Sequence, residues 1–162
     1  MTETAPVTHS TSVDRDARSA LLVALIVAAV LVLDLLVSFL ESFAFGSGSR
    51  DFLLGIALPQ LLVDIVPKAV GILVVLWLWP ARVEDRVVMV LVKALVAAAA
   101  ACVLAALVGF VYTVVVYGVR FSDAGALPYT PFAGIVSSVV MLAPLVMLVV
   151  LAQWVIRRGA RL

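Results

Sequence analysis

Apolar and polar positions divide the chain into four long apolar runs separated by three short polar breaks. A helix that crosses the hydrocarbon core of a bilayer needs about 20 predominantly apolar residues. Residues 19–41, 52–79, 87–117 and 131–156 all reach that length. The first break is Gly46-Ser47-Gly48-Ser49, a run that stops helices. The second is Pro80-Ala81-Arg82 with Glu84, Asp85 and Arg86, and the third extends from Gly118 to Thr130, with Asp123, Gly125 and Pro128. Connections this short make consecutive helices antiparallel neighbours. The pattern predicts an all-α integral membrane protein, a four-helix bundle of up-down topology.

The segments outside the runs are small. Residues 1–18 are polar, rich in Ser, Thr and Asp, and predict a disordered tail. Residues 157–162 form a second, basic tail. Ser42-Phe43-Ala44 offers a small-x-small cleavage site, so a removed leader is the alternative to a first span. The apolar stretch from Ser19 to Leu40 is well beyond the 7–15 residues of a leader core and contains Asp34, which favours a retained helix.

Composition then fixes the solvent. Of 162 residues 65% are apolar and 13% charged, with a mean hydropathy of +1.27. Soluble domains have about 45–50% and about 25%. A water-soluble fold of this size cannot hide that much apolar surface. The net charge of +1 gives no electrostatic case for nucleic acid. Cys102 is the single cysteine, which excludes an intramolecular disulfide and a cysteine-based zinc site. His9, the sole histidine, falls in the polar tail. No metal site and no cofactor are expected.

Basic residues orient the bundle. Arg15 and Arg18 precede the first span, Arg82 and Arg86 lie in the second loop, and Arg157, Arg158 and Arg161 follow the fourth span. Only Arg50 and Arg120 occupy the other two loops. Seven against two places both termini and the middle loop in the cytoplasm. Trp77, Trp79 and Trp154 fall at the same ends, while Tyr112, Tyr117 and Tyr129 fall at the opposite ends, as interfacial belts do. Nine arginines against two lysines, with Ala, Val and Leu dominant, suggest a high-GC bacterial genome and hence a bacterial cytoplasmic membrane.

Ionisable groups inside a span cost about 2.5–3.5 kcal/mol on insertion scales and tend to be paired or functional. Asp34, Asp64, Lys68 and Lys93 qualify. At a rise of about 1.5 Å per residue, Asp34 and Asp64 both lie about 22–24 Å from the inner face. Gln60, Asp64 and Lys68 share one face of the second helix, and Asp34, Ser38, Glu41 and Ser42 share one face of the first. Such stripes are expected to face into the bundle, because lipid leaves them unsolvated. Pro59 and Pro67 withdraw partners from the carbonyls of Gly55 and Val63, so a kink is expected beside Asp64. The cluster reads either as a neutralised structural network or as a site for a proton or cation. Lys93 lies about 9 Å from the inner face and is expected to snorkel to the headgroups. Gln153 is expected at the same interface.

The third helix carries small residues at four-residue spacing: Ala97, Ala101, Ala105 and Gly109, with Ala94, Ala98, Cys102 and Ala106 beside them. Such rows let helix backbones approach closely, either within one chain or between chains.

No catalytic constellation emerges. Cys102 has no histidine nearby, and Asp34 and Asp64 lack the glycine-flanked context of intramembrane aspartyl proteases. The chain is therefore read as no enzyme. Two functions stay open. One is an accessory protein that assembles with itself or with a larger membrane complex through helix packing. The other is a small transporter or channel component that moves protons or cations through Asp34, Asp64 and Lys68.

Overall fold

The computed structural model describes residues 10–44, 55, 58–117 and 134–159. The expected breaks at 46–49 and 118–130 lie outside these residues, as do His9, Arg50, Arg120, Tyr129, Arg161 and the first positions of the fourth run. The described chain is helical apart from residues 79–86 and Gly134. Four helices are long and apolar enough to cross a membrane: α1 (Ser10–Ala44), α2 (Leu58–Leu78), α3 (Val87–Tyr117) and α4 (Ile135–Gly159).

The local sequence explains most boundaries. No Gly or Pro occurs between residues 7 and 45, so a helix once nucleated runs on without interruption. It begins at Ser10, and residues 10–18, whose composition predicts a disordered tail, are helical. At the other end of the α1–α2 hairpin, α2 stops at Leu78 because Pro80 disfavours a helical residue before it. Trp79 accordingly leaves the helical region at φ −133° and ψ 70°. Its N–H still reaches the Val75 carbonyl at 2.8 Å. α3 restarts at Val87, where the amides of Met89 and Val90 donate to the Arg86 carbonyl.

The expected kink in α2 takes a specific form. Residues Leu61–Ile65 make a π-helical turn, and the Val66 N–H donates to the carbonyl of Leu61, five residues back. Pro67 follows in the first turn of the next α-helical segment. The wider turn takes up the register fault that the two prolines create. Asp64 sits inside that turn.

The helices pack mainly in chain order, α1 on α2, α2 on α3 and α3 on α4, and a lighter contact between α1 and α4 closes the ring. Hydrogen bonds align their ends. The Gln153 amide donates to the Ser19 carbonyl at 3.2 Å, and the Trp154 indole donates to the Arg82 carbonyl at 3.1 Å. The start of α1, the α2–α3 loop and the end of α4 therefore share one end of the bundle. Arg18, Arg82, Arg86, Arg157 and Arg158 belong to these segments, so we call it the basic end.

The core lies toward that end. Ala20, Val23, Ala24 and Val27 of α1 meet Ile72 and Leu76 of α2, Val90, Ala94, Ala97, Ala98, Ala101 and Cys102 of α3, and Val146, Val150 and Trp154 of α4. α3 is the most enclosed helix: Ala97, Ala98 and Ala101 are fully buried, and Cys102, Ala105 and Ala106 nearly so. A Cβ added to Gly71 would lie 2.6 Å from the Ala101 Cα, so α2 and α3 touch backbone to backbone. Ala97, Ala101 and Ala105 are buried within the chain, Ala101 against Gly71, while Gly109 of the same row is only partly covered.

Candidate functional site

The polar groups at membrane depth separate into three places. The first is the π-turn of α2. There the Lys68 ammonium contacts the Asp64 carboxylate at 2.6 Å, a one-turn pair that the i, i+4 spacing places on a single face. The Lys68 side chain is 12% exposed and that of Asp64 is 40% exposed. The pair lines a cavity of about 170 Å³ opposite Cys102, Ala105 and Gly109 of α3 and Ser138 of α4. The Gly109 carbonyl accepts the Thr113 hydroxyl at 2.8 Å. Gln60, one turn away, is exposed and does not join the pair.

The second place is the far half of α1. Asp34 was expected to face inward at the level of Asp64. It is exposed instead, with no hydrogen bond or ion pair to another described residue, and the cavity at Asp64 opens toward α3 and α4. The reason lies in how α1 crosses its neighbours. Near the basic end its covered stripe is Ala20, Val23, Ala24 and Val27, which heptad spacing would continue into Asp34 and Glu41. Beyond Val27 no described α1 side chain is buried, and the better-covered positions shift to Leu31, Leu35 and Phe39. The contact face rotates along the helix, and Asp34, Ser38 and Glu41 are left along an exposed edge. The cluster of Asp34, Asp64 and Lys68 is therefore not assembled within one chain.

The third place was not legible as a site. Lys93 does not snorkel outward; it is only 4% exposed. Its ammonium donates to the Asp85 carboxylate at 2.6 Å and to the Pro80 carbonyl at 2.9 Å, and lies 5.5 Å from the centroid of the Trp79 ring. Asp85 also accepts the Arg82 N–H at 2.8 Å, which folds the loop onto itself. Lys93 emerges on the face of α3 that meets the end of α2, so the loop reaches its ammonium before the headgroups do. Burial works to raise the Asp85 pKa, but the Lys93 hydrogen bond, the Arg82 amide and the two nearby cations outweigh it and hold the carboxyl below its ordinary value. Trp154, expected in an interfacial belt, is buried and bonded to the Arg82 carbonyl, with the Arg158 guanidinium 5.1 Å above its ring. Trp77 and Trp79 are exposed, as belt residues are. Gln153 reaches α1 rather than solvent.

One signal pointed to the third place. Pro80 and Asp85 bracket a tight loop, and Lys93 lies two turns into the following helix. No periodicity rule connects residues eight apart across a loop, so the pairing needs the tertiary structure.

Among the described residues no group of three His, Cys, Asp or Glu side chains is placed to hold a metal ion. No family model matches the chain, and no curated protein and no solved structure is similar to it at a significant level. The geometry supports a multi-pass membrane protein of four apolar helices with a sealed end, a half-open polar groove and an uncovered acidic edge.

Proposed function

We propose that this chain is an assembly subunit of a larger complex in a bacterial cytoplasmic membrane, with both termini cytoplasmic, and that it joins its partner through the acidic edge of α1. The carrying observation is Asp34, a carboxylate well inside a membrane-length helix, exposed and without a partner among the described residues. A carboxylate facing lipid at that depth is unfavourable by about 2.5–3.5 kcal/mol. A second transmembrane helix that brings a hydrogen-bond donor or a cation removes that penalty. Ser38 and Glu41 extend the edge by two turns. The chain's own lysines at membrane depth, Lys68 and Lys93, are already paired. A second copy therefore offers no free lysine at that depth among the described residues, which favours a different protein whose helix carries Lys or Arg at the level of Asp34. The orientation draws support from the seven-to-two division of arginines and from the hydrogen bonds that gather the start of α1, the α2–α3 loop and the end of α4 at one end.

The test is affinity purification from native membranes in a mild detergent. Wild-type protein is expected to retain a transmembrane partner, and Asp34→Leu to lose it while keeping its helical content. Placing Lys at position 34 and an acidic residue at the matching basic position of the partner is expected to restore the complex. A wild-type chain that runs as a lone monomer, or an Asp34→Leu variant that keeps its partner, would defeat the proposal.

A second reading has one observation in its favour. The π-turn, the Asp64–Lys68 pair and the cavity they line resemble the broken, polar helices from which transport sites are built. It requires proton or cation flux in proteoliposomes that disappears in Asp64→Asn. Absence of flux from the wild type removes it.

A further inference from the structure

At the basic end, the α2–α3 loop borders a second cavity, open to the surface and of about 340 Å³. That size falls in the range of about 300–1,000 Å³ typical of small-molecule sites. Its lining is two-sided. Arg82, Asp85 and Lys93 supply the polar part, and Leu78, Trp79 and Met89 the apolar part. Two cations face one carboxylate. Asp85 is engaged by the Lys93 ammonium and the Arg82 amide. The Arg82 guanidinium is exposed and has no ion-pair partner among the described residues. Lys93 uses two of its three N–H groups on Asp85 and Pro80. The polar part thus holds one uncompensated positive charge and free donors.

We propose that this cavity binds the headgroup phosphate of an anionic phospholipid, with Arg82 as the principal phosphate contact. Two observations converge on a lipid in place of a free anion. The site stands at the end of two membrane-length helices, where headgroups lie. Its apolar wall is made of outward residues: Leu78, Trp79 and Met89 are all well exposed beside the polar groups. Basic pockets beside transmembrane helices at the headgroup level recognise anionic lipids by this combination of charge and apolar surround. Lys93 and Asp85 position the loop, and their pair keeps the carboxylate from repelling the phosphate. The inference is independent of the α1 edge and needs only that the helices span a membrane.

Native mass spectrometry of the full chain, offered equal amounts of phosphatidylglycerol and phosphatidylcholine, tests it. Wild-type protein is expected to retain one phosphatidylglycerol per chain in preference to phosphatidylcholine. Arg82→Gln is expected to lower that retention about fivefold, as the loss of one basic residue at the headgroup level does. Arg82→Lys keeps the charge and should recover most of it. Arg18→Gln removes an equal charge from α1, outside the cavity, and should leave retention unchanged. Equal retention of the two lipids would overturn the proposal, as would an Arg82→Gln variant that binds like wild type or an Arg18→Gln variant that loses as much. Displacement of the lipid by millimolar inorganic phosphate would likewise overturn it, showing a site for small anions.

Discussion

Two lysine–aspartate pairs in this protein share an N···O distance of 2.6 Å and almost nothing else. Asp64–Lys68 lies within one helix, on a π-turn, beside an open groove, with its carboxylate 40% exposed. Asp85–Lys93 ties a loop to the helix that follows it, with side chains 19% and 5% exposed. The first pair would form in an isolated α2, because residues four apart meet on any helix. The second exists only when the end of α2, the loop and the start of α3 are brought together. Distance alone does not rank such pairs. What each removal leaves behind does.

The largest expected effect follows from that. Lys93→Ala removes the ammonium from Asp85, from the Pro80 carbonyl and from the Trp79 ring, and leaves a carboxylate and a carbonyl without their donor. A loss of about 3 kcal/mol is expected, as for breaking a largely buried pair from one side. Unfolding by denaturing detergent, monitored by circular dichroism, measures it, and a change within error of zero would show that the loop is held by other contacts.

Next comes Gly71→Ala. The added methyl meets Ala101 backbone at 2.6 Å, and backbone cannot rotate aside. α2 and α3 must separate along the whole core they share, for an expected loss of about 1–3 kcal/mol. The same assay reads it. A neutral result would mean that the two helices do not approach as closely as described.

Acid tests the loop pair in a further way. The Asp85 pKa is depressed in the folded protein, so its stabilisation is fully present above the ordinary carboxylate range and disappears as pH falls through the lowered value. Wild-type stability is expected to hold from neutral pH down to that range and then decline. Asp85→Asn should be less stable at neutral pH and show a flatter acid limb, with the two curves converging at low pH. Curves that stay parallel would deny Asp85 this role.

The smallest effect is expected for Asp64→Asn. Its carboxylate is substantially exposed, and the amide oxygen can still accept a bond from Lys68. A change of about 1 kcal/mol is expected, because the hydrogen bond to Lys68 is kept and only its charge assistance is lost. A loss as large as that of Lys93→Ala would erase the contrast and make the groove a structural centre.

The same division governs the two halves of the bundle. Toward the basic end α1 is covered at Ala20, Val23, Ala24 and Val27, and the loop and Trp154 seal the helices together. Farther along, α1 has no buried described side chain and Asp34 stands exposed. An assembly subunit needs a half that holds itself together and a half that offers something to a partner. Asp34 and Arg82 are charged groups on the described surface that the chain itself leaves unpaired, and each carries one of the proposals above.

What the sequence determined by itself was everything local or dependent on the solvent. Length and hydropathy of the four runs were enough for four spanning helices. Pro80 placed the end of α2, the α2 prolines announced a fault beside Asp64, and i, i+4 spacing gave the Asp64–Lys68 pair. These follow from the 3.6-residue repeat and from which residues lack an N–H. The face on which Asp34 lies is not local in this sense, because a stripe faces inward only while its helix stays against the same neighbours. Helices that cross at an angle exchange contact faces along their length. That rotation, the burial of Lys93 by a loop eight residues away, the Trp154 tie and the backbone contact of Gly71 with Ala101 were decided by tertiary structure alone. Each depends on where a second element stands, which no single stretch of this chain encodes.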